Sequence, residues 1–134
     1  MKFYFTFITL FLSIVSISQS EVDYLNNYLE ETSEKLAVYK RNFTEVEEGI
    51  FRAEITYFNG TLKAVGSYVL IDDELVPHGQ FSFYYENGVK ESEGIFVKGY
   101  KSGEWLRFMK DGTELKPRFY EPSLGNIVEE LKRD

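Results

Sequence analysis

A mainly β fold is expected from this amino-acid sequence: a single-layer antiparallel meander of β-hairpin repeats with short N- and C-terminal helices. Three observations lead there. A ten-residue phrase occurs twice, as Gly79-Gln-Phe81-Ser-Phe-Tyr84-Tyr-Glu-Asn87-Gly88 and as Gly103-Glu-Trp105-Leu-Arg-Phe108-Met-Lys-Asp111-Gly112, 24 residues later. Recurrence at so short a period marks one small unit used several times. Three pairs, Asn59-Gly60, Asn87-Gly88 and Asp111-Gly112, each lie between runs rich in aromatic and β-branched residues. Such pairs are the strongest short-range hairpin signal. Finally, the chain has 12 Phe, 10 Tyr and 1 Trp in 134 residues and no cysteine. It must hold itself by packed rings on a sheet, without disulfides.

Residues 1–18 read as a signal peptide. Lys2 is a short positive start, and Phe3 to Ile17 is apolar apart from Thr6, Thr9, Ser13 and Ser16. The run falls short of the roughly 20 residues that cross a bilayer. Ser16-Ile17-Ser18 puts small residues where a signal peptidase reads, so cleavage is expected after Ser18 or after Ser20. No cysteine stands there to take a lipid. Export is therefore expected, to a periplasmic, outer-membrane-associated or extracellular location. Losing Lys2 leaves 14 of the 15 basic side chains against 22 acidic ones, a net charge of −8. Such a chain repels nucleic acid and anionic membranes, and no basic stripe is legible to offset this.

Residues 19–48 read as a helical lead-in and a first strand. Ser20 with Asp23 three residues on suits a helix N-cap, and Val22, Leu25 and Leu29 share one helical stripe. Thr32-Ser33 breaks it, with a second short turn over Glu34 to Val38, and strand pattern begins at Tyr39.

Residues 49–120 read as three hairpin units. Type I′ turns are expected at the Asn-Gly and Asp-Gly pairs, with positive φ at both central residues. The turns are 28 and then 24 residues apart, and the excess is assigned to a loop from Leu70 to His78. Aligning the turns gives columns: Ala53, Phe81 and Trp105; Thr56, Tyr84 and Phe108; Tyr57, Tyr85 and Met109; Tyr68, Phe96 and Tyr120. Aromatics stacked within a column would support one another across the sheet. Residues 121–134 read as a helical cap. Pro122 and Gly125 end the last strand, Asn126 with Glu129 resembles a capping box, and Lys132-Arg133 suit a helix C-terminus.

The phrase Gly-x-aromatic-x-x-aromatic-x-x-(Asn/Asp)-Gly, followed by Gly-x-aromatic, resembles the MORN-type repeat. It is most similar to the bacterial variant of the YwqK-like, antitoxin-type proteins and of exported envelope repeat proteins. Glu93-Gly94-Ile-Phe96-Val-Lys-Gly99-Tyr-Lys-Ser-Gly103-Glu-Trp105 carries the match, within about Gly49 to Tyr120. The resemblance implies an elongated sheet of hairpins and a scaffold or binding role without a catalytic site. The first unit departs from the pattern with Ala53 in the Trp column, and the third with Arg118 in the second-glycine column. End units of repeat arrays are commonly atypical.

Candidate chemistry is sparse. His78 is the sole histidine, which excludes multi-histidine metal sites, and it reads as a repeat-junction residue. Asp72-Asp73-Glu74 lacks EF-hand spacing and reads as a solvated loop. Glu91 and Glu93 lie two apart on one strand, as a carboxylate pair would, but with 22 acidic residues such pairs arise freely. No metal or organic cofactor is expected, and no enzymatic activity. The expected function is binding of another protein or an envelope component, with Tyr84, Tyr100, Trp105 and Phe108 as the partner-binding candidates. An immunity or antitoxin-type inhibitor is the alternative.

Overall fold

The structure, a computed structural model, describes residues 22–121. The expected signal peptide, residues 1–18, and residues 122–134 of the expected helical cap lie outside the described residues. Eight strands form one sheet: β1 Val22–Leu25, β2 Tyr39–Glu47, β3 Ile50–Tyr57, β4 Leu62–Ile71, β5 Glu74–Tyr84, β6 Lys90–Val97, β7 Tyr100–Phe108 and β8 Glu114–Tyr120. Their order in the sheet is their order in the chain, β1 to β8, and every neighbouring pair is antiparallel. The meander expected from the aligned turns is what forms.

The lead-in is not the expected helix. Val22–Leu25 pairs with Asn42–Tyr39 as an edge strand. Pairing splits the expected stripe, leaving Val22 exposed, and wins because Leu25 becomes fully buried against Tyr39, Ile55 and Ala64. An isolated helix of that length is marginal, and Asn26-Asn27 are poor helix formers. The Asn26 side-chain oxygen accepts the Tyr28 and Glu30 amides at 2.8 and 3.1 Å, closing a turn in which Leu29 takes φ 63°. The second short turn does form, as a 3-10 turn over Glu34–Leu36.

The three Asn/Asp-Gly turns are identical but are not type I′. Tyr57, Tyr85 and Met109 each accept the glycine amide three residues on, and each donates to the carbonyl four residues on, at 2.8–2.9 Å. Asn59, Asn87 and Asp111 accept the amide two residues on, at 3.0, 3.1 and 2.9 Å. That side-chain bond keeps the Asn or Asp at negative φ, and only the glycine is left-handed, near +86° to +88°. Neighbouring turns are also tied together: Tyr85 Oη donates to the Phe108 carbonyl and Asn87 Nδ2 to the Lys110 carbonyl.

Primed turns occur at the opposite end of the sheet. Asp72-Asp73, at φ 50° and 63°, join Ile71 to its partner Glu74, and Lys98-Gly99, at 48° and 90°, join Val97 to Tyr100. The loop expected over Leu70–His78 is thus a two-residue turn between long strands. The excess residues go into a bulge, where Ser67 alone lies between the pairs Gly66↔Phe81 and Tyr68↔Pro77. His78 stands in that bulge. Its Nδ1 accepts the Lys98 amide at 3.1 Å while the Pro77 carbonyl accepts the Gly99 amide at 2.8 Å. The junction reading of His78 acquires a physical content: it fastens one unit to the next turn.

Candidate functional site

The two sheet faces differ, and the repeated phrase explains why. Register puts Ala53, Gly66, Phe81 and Gly94 in one row, with Trp105 and Arg118 paired at its far end. Glycine and ring alternate along that row. A Cβ at Gly66 would stand 2.4 Å from the Phe81 ring, and one at Gly94 would stand 2.5 Å from the Trp105 ring. Each ring therefore lies flat on the glycine of the preceding strand. The leading glycines, Gly79 and Gly103, hold φ 100° and 65° at the bulges before those rings. The leading glycine, the first aromatic and the Asn/Asp-Gly pair of the phrase are thus accounted for by bulge, ring and turn, while its second aromatic, Tyr84 or Phe108, is not.

The ring contacts run between columns. Rings of one column sit two strands apart, about 10 Å, too far to touch. Instead Phe43–Tyr68, Tyr68–Phe81, Phe81–Phe96, Phe96–Trp105 and Trp105–Tyr120 meet edge to face, at 5.1, 5.5, 4.8, 5.2 and 6.3 Å. Each such pair adds about 0.5–1.5 kcal/mol beyond its burial. This inner face holds both core clusters, with Trp105 at 1% exposure and Phe81 at 2%. One cavity is lined by Leu29 of the β1–β2 connection and by Lys101 of β7, so the inner face is concave.

Its two ends are finished differently. At the β1 end Arg41 is buried, and its Nη2 donates to Asp23 at 2.8 Å and to Glu31 at 3.0 Å. Its guanidinium lies over Phe43 and Tyr68, at 4.7 and 5.5 Å. Burial works against the Arg41 charge and the Asp23 bond favours it, with a net upward shift of its pKa. In mid-sheet Lys63 donates to Glu91 at 3.1 Å across β5. Burial opposes the Lys63 charge, but the Glu91 bond holds its pKa above the usual lysine value. At the β8 end lies a cavity of about 210 Å³, lined by Glu91, Lys101, Trp105, Arg107, Arg118 and Tyr120 among others. Lys101 Nζ sits 4.3 Å from the Trp105 ring centre and 5.4 Å from that of Tyr120. Among the described residues no carboxylate pairs with Lys101, Arg107 or Arg118.

The four sequence candidates fall on both faces. Trp105 is core, so its ring presents no surface to a partner. Tyr84 and Phe108 alternate with inward Phe83 and Arg107, and so lie on the outer face, half-buried and two strands apart. Lys90 of the intervening strand pairs with Tyr84 in register. Tyr100 pairs with Val97 at the other end of the sheet. Ile95, Val97 and Phe119 on this face are 50%, 37% and 73% exposed.

The carboxylate pair does not form. A bulge between Phe83 and Tyr84 turns Glu91 to the inner cavities, while Glu93 stays on the outer face and accepts from Lys90 at 2.6 Å. That bond, partly offset by desolvation, raises the Lys90 pKa. Among the described residues no group of three or more His, Cys, Asp or Glu could hold a metal ion, and no helix is long and apolar enough to cross a membrane. The inner-face cations Lys101, Arg107 and Arg118 were not singled out from sequence as a group. Arg118 in a glycine column was the available signal. No family model, no curated protein and no solved structure matches this chain.

Proposed function

We propose that this chain is an exported, non-enzymatic repeat protein of MORN-like type, which binds another protein or an envelope component through its sheet. The observation that carries the reading is the outer face. Tyr84 and Phe108 recur there at the same place in successive units, and Ile95, Val97 and Phe119 stay exposed on the same side. Apolar and aromatic side chains left open on a regular sheet are the usual material of a binding strip. Two further facts agree with it: bulge, ring and turn account for the phrase apart from Tyr84 and Phe108, and the ion-paired carboxylates Glu91 and Glu93 point to opposite faces.

The test is photo-crosslinking in intact cells of the native host, with the crosslinker on the outer face beside Tyr84. A discrete adduct is expected, lost on Tyr84→Ala with Phe108→Ala. No adduct, or the same adducts in the double variant, contradicts the reading. Protection of cells against a co-expressed toxin would favour the immunity-type alternative. Mass spectrometry of the mature N-terminus tests export separately: a start after Ser18 or Ser20 is expected, and an intact Met1 contradicts it.

A further inference from the structure

We propose that the β8 end of the inner face is a binding site for a single carboxylate on an apolar stem, as on a glutamate or aspartate side chain of a bound polypeptide. The site lies on the opposite face from Tyr84, borders the Phe108 segment at its edge, and stands whether or not the outer-face reading holds.

The argument starts from the row that alternates glycine and ring. Gly66 and Gly94 are required because a ring from the next strand lies on each. Among the described strands none follows β8, so no ring covers the position opposite Trp105, and Arg118 stands there. Its side chain joins Arg107 and Lys101 around one cavity of about 210 Å³. Guanidinium groups present planar donor forks that match a carboxylate, and two of them beside an ammonium, with no ion-paired acid among the described residues, are an unmet electrostatic demand. The carboxylate that lines this cavity, Glu91, is already bonded to Lys63 at 3.1 Å, which weakens its competition for the arginines.

The cavity also says what the anion is attached to. Tyr120 and Leu115 line it beside the cations, with the buried Trp105 ring behind them, so an aliphatic stem finds apolar walls. The Lys101 ammonium is held over two of those rings, which places it in the wall rather than in bulk solvent. Size and charge point to one small oxyanion. A chain of net charge −7 repels a polyanion over the rest of its surface, and a singly charged carboxylate meets the least of that repulsion.

The chain carries a single tryptophan, Trp105, so its fluorescence reports directly on this wall. The purified full chain is titrated at low salt with acetyl-Ala-Glu-Ala-amide, with the Gln analogue, and with inorganic phosphate. A saturable change with the Glu peptide and none with the Gln peptide is expected, weakening as salt is added. Arg107→Gln with Arg118→Gln should weaken binding at least about tenfold, and Arg118→Gln alone should weaken it measurably. Arg52→Gln, on the outer face, should leave it unchanged. No saturable change, an equal response to the Gln peptide, equal loss in Arg52→Gln, or a response to phosphate alone would each overturn the proposal.

Discussion

Arg41 and Arg118 stand on the same face of one sheet, and their surroundings differ in kind. Arg41 is enclosed: β1 and its connection bring Asp23 and Glu31 to its guanidinium, and it lies over two rings. Arg118 is exposed, faces Trp105 across the last strand pair, and meets no carboxylate among the described residues. The difference follows from where each sits in the array. A strand that precedes a repeat can supply acids and close the face over a charge. A position past the last ring keeps its charge available. One sheet therefore uses arginine as structure at one end and presents it at the other.

That contrast can be attacked at several points. Trp105→Ala strikes the ring ladder that leads to the open end, uncovering Gly94 and removing the contacts to Phe96 and Tyr120. A loss of about 3–5 kcal/mol in urea unfolding is expected. A loss below about 1 kcal/mol would mean that the ladder is not what holds this end. Gly94→Ala puts a methyl group 2.5 Å from that same ring. Overpacking of this kind costs about 1–3 kcal/mol, and the Trp105 emission should shift as the ring is displaced. Lys63→Gln sharpens the comparison from the middle of the sheet. It should cost no more than about 1 kcal/mol, since this pair is partly solvated. It also frees the Glu91 carboxylate beside the arginines, so the Glu peptide should bind less tightly in the fluorescence titration.

The smallest expected effect lies at the third turn, beside neither arginine. The Thr113 amide holds the Asp111 pKa below the usual aspartate range. Its folded pKa is depressed, so its contribution is complete above the ordinary aspartate pKa and is lost as pH falls through the lower folded value. Asp111→Asn removes that contribution, so it should lower the melting temperature slightly at neutral pH, with the difference fading as pH falls through the Asp111 folded pKa. A difference that stays the same in acid would show that the side-chain charge is not what matters there.

The parts legible in the sequence were those whose cause is local. Asn59-Gly60, Asn87-Gly88 and Asp111-Gly112 marked three hairpins because a left-handed glycine after an Asx acceptor is a four-residue affair. The turn type was not legible, because it depends on whether the Asx side chain bonds two residues on. The β1 edge was misread because Val22, Leu25 and Leu29 satisfy a helical stripe, and only the tertiary position of Tyr39 and Ile55 favours the strand. Asp72-Asp73 read as loop because left-handed Asp pairs are set by the strands they join. The phrase itself could be aligned but not interpreted. Which ring lies on which glycine depends on register, and register lies in no single segment. The same holds for the site: Arg118 could be seen to break a column, but nothing local places it beside Arg107 and Lys101.

The measurement that bears most directly on the closed-versus-open account is paired urea unfolding of Arg41→Ala and Arg118→Ala. The first strands Asp23 beside a buried hole and removes a cation from two rings, with some relief because the Glu31 side chain is 74% exposed. It should lose about 2–3 kcal/mol. The second removes a side chain with no ion-pair partner among the described residues, and should stay within about 0.5 kcal/mol of the parent. Similar losses in the two variants would contradict the account, because Arg118 would then be structural and the β8 end would be closed as well.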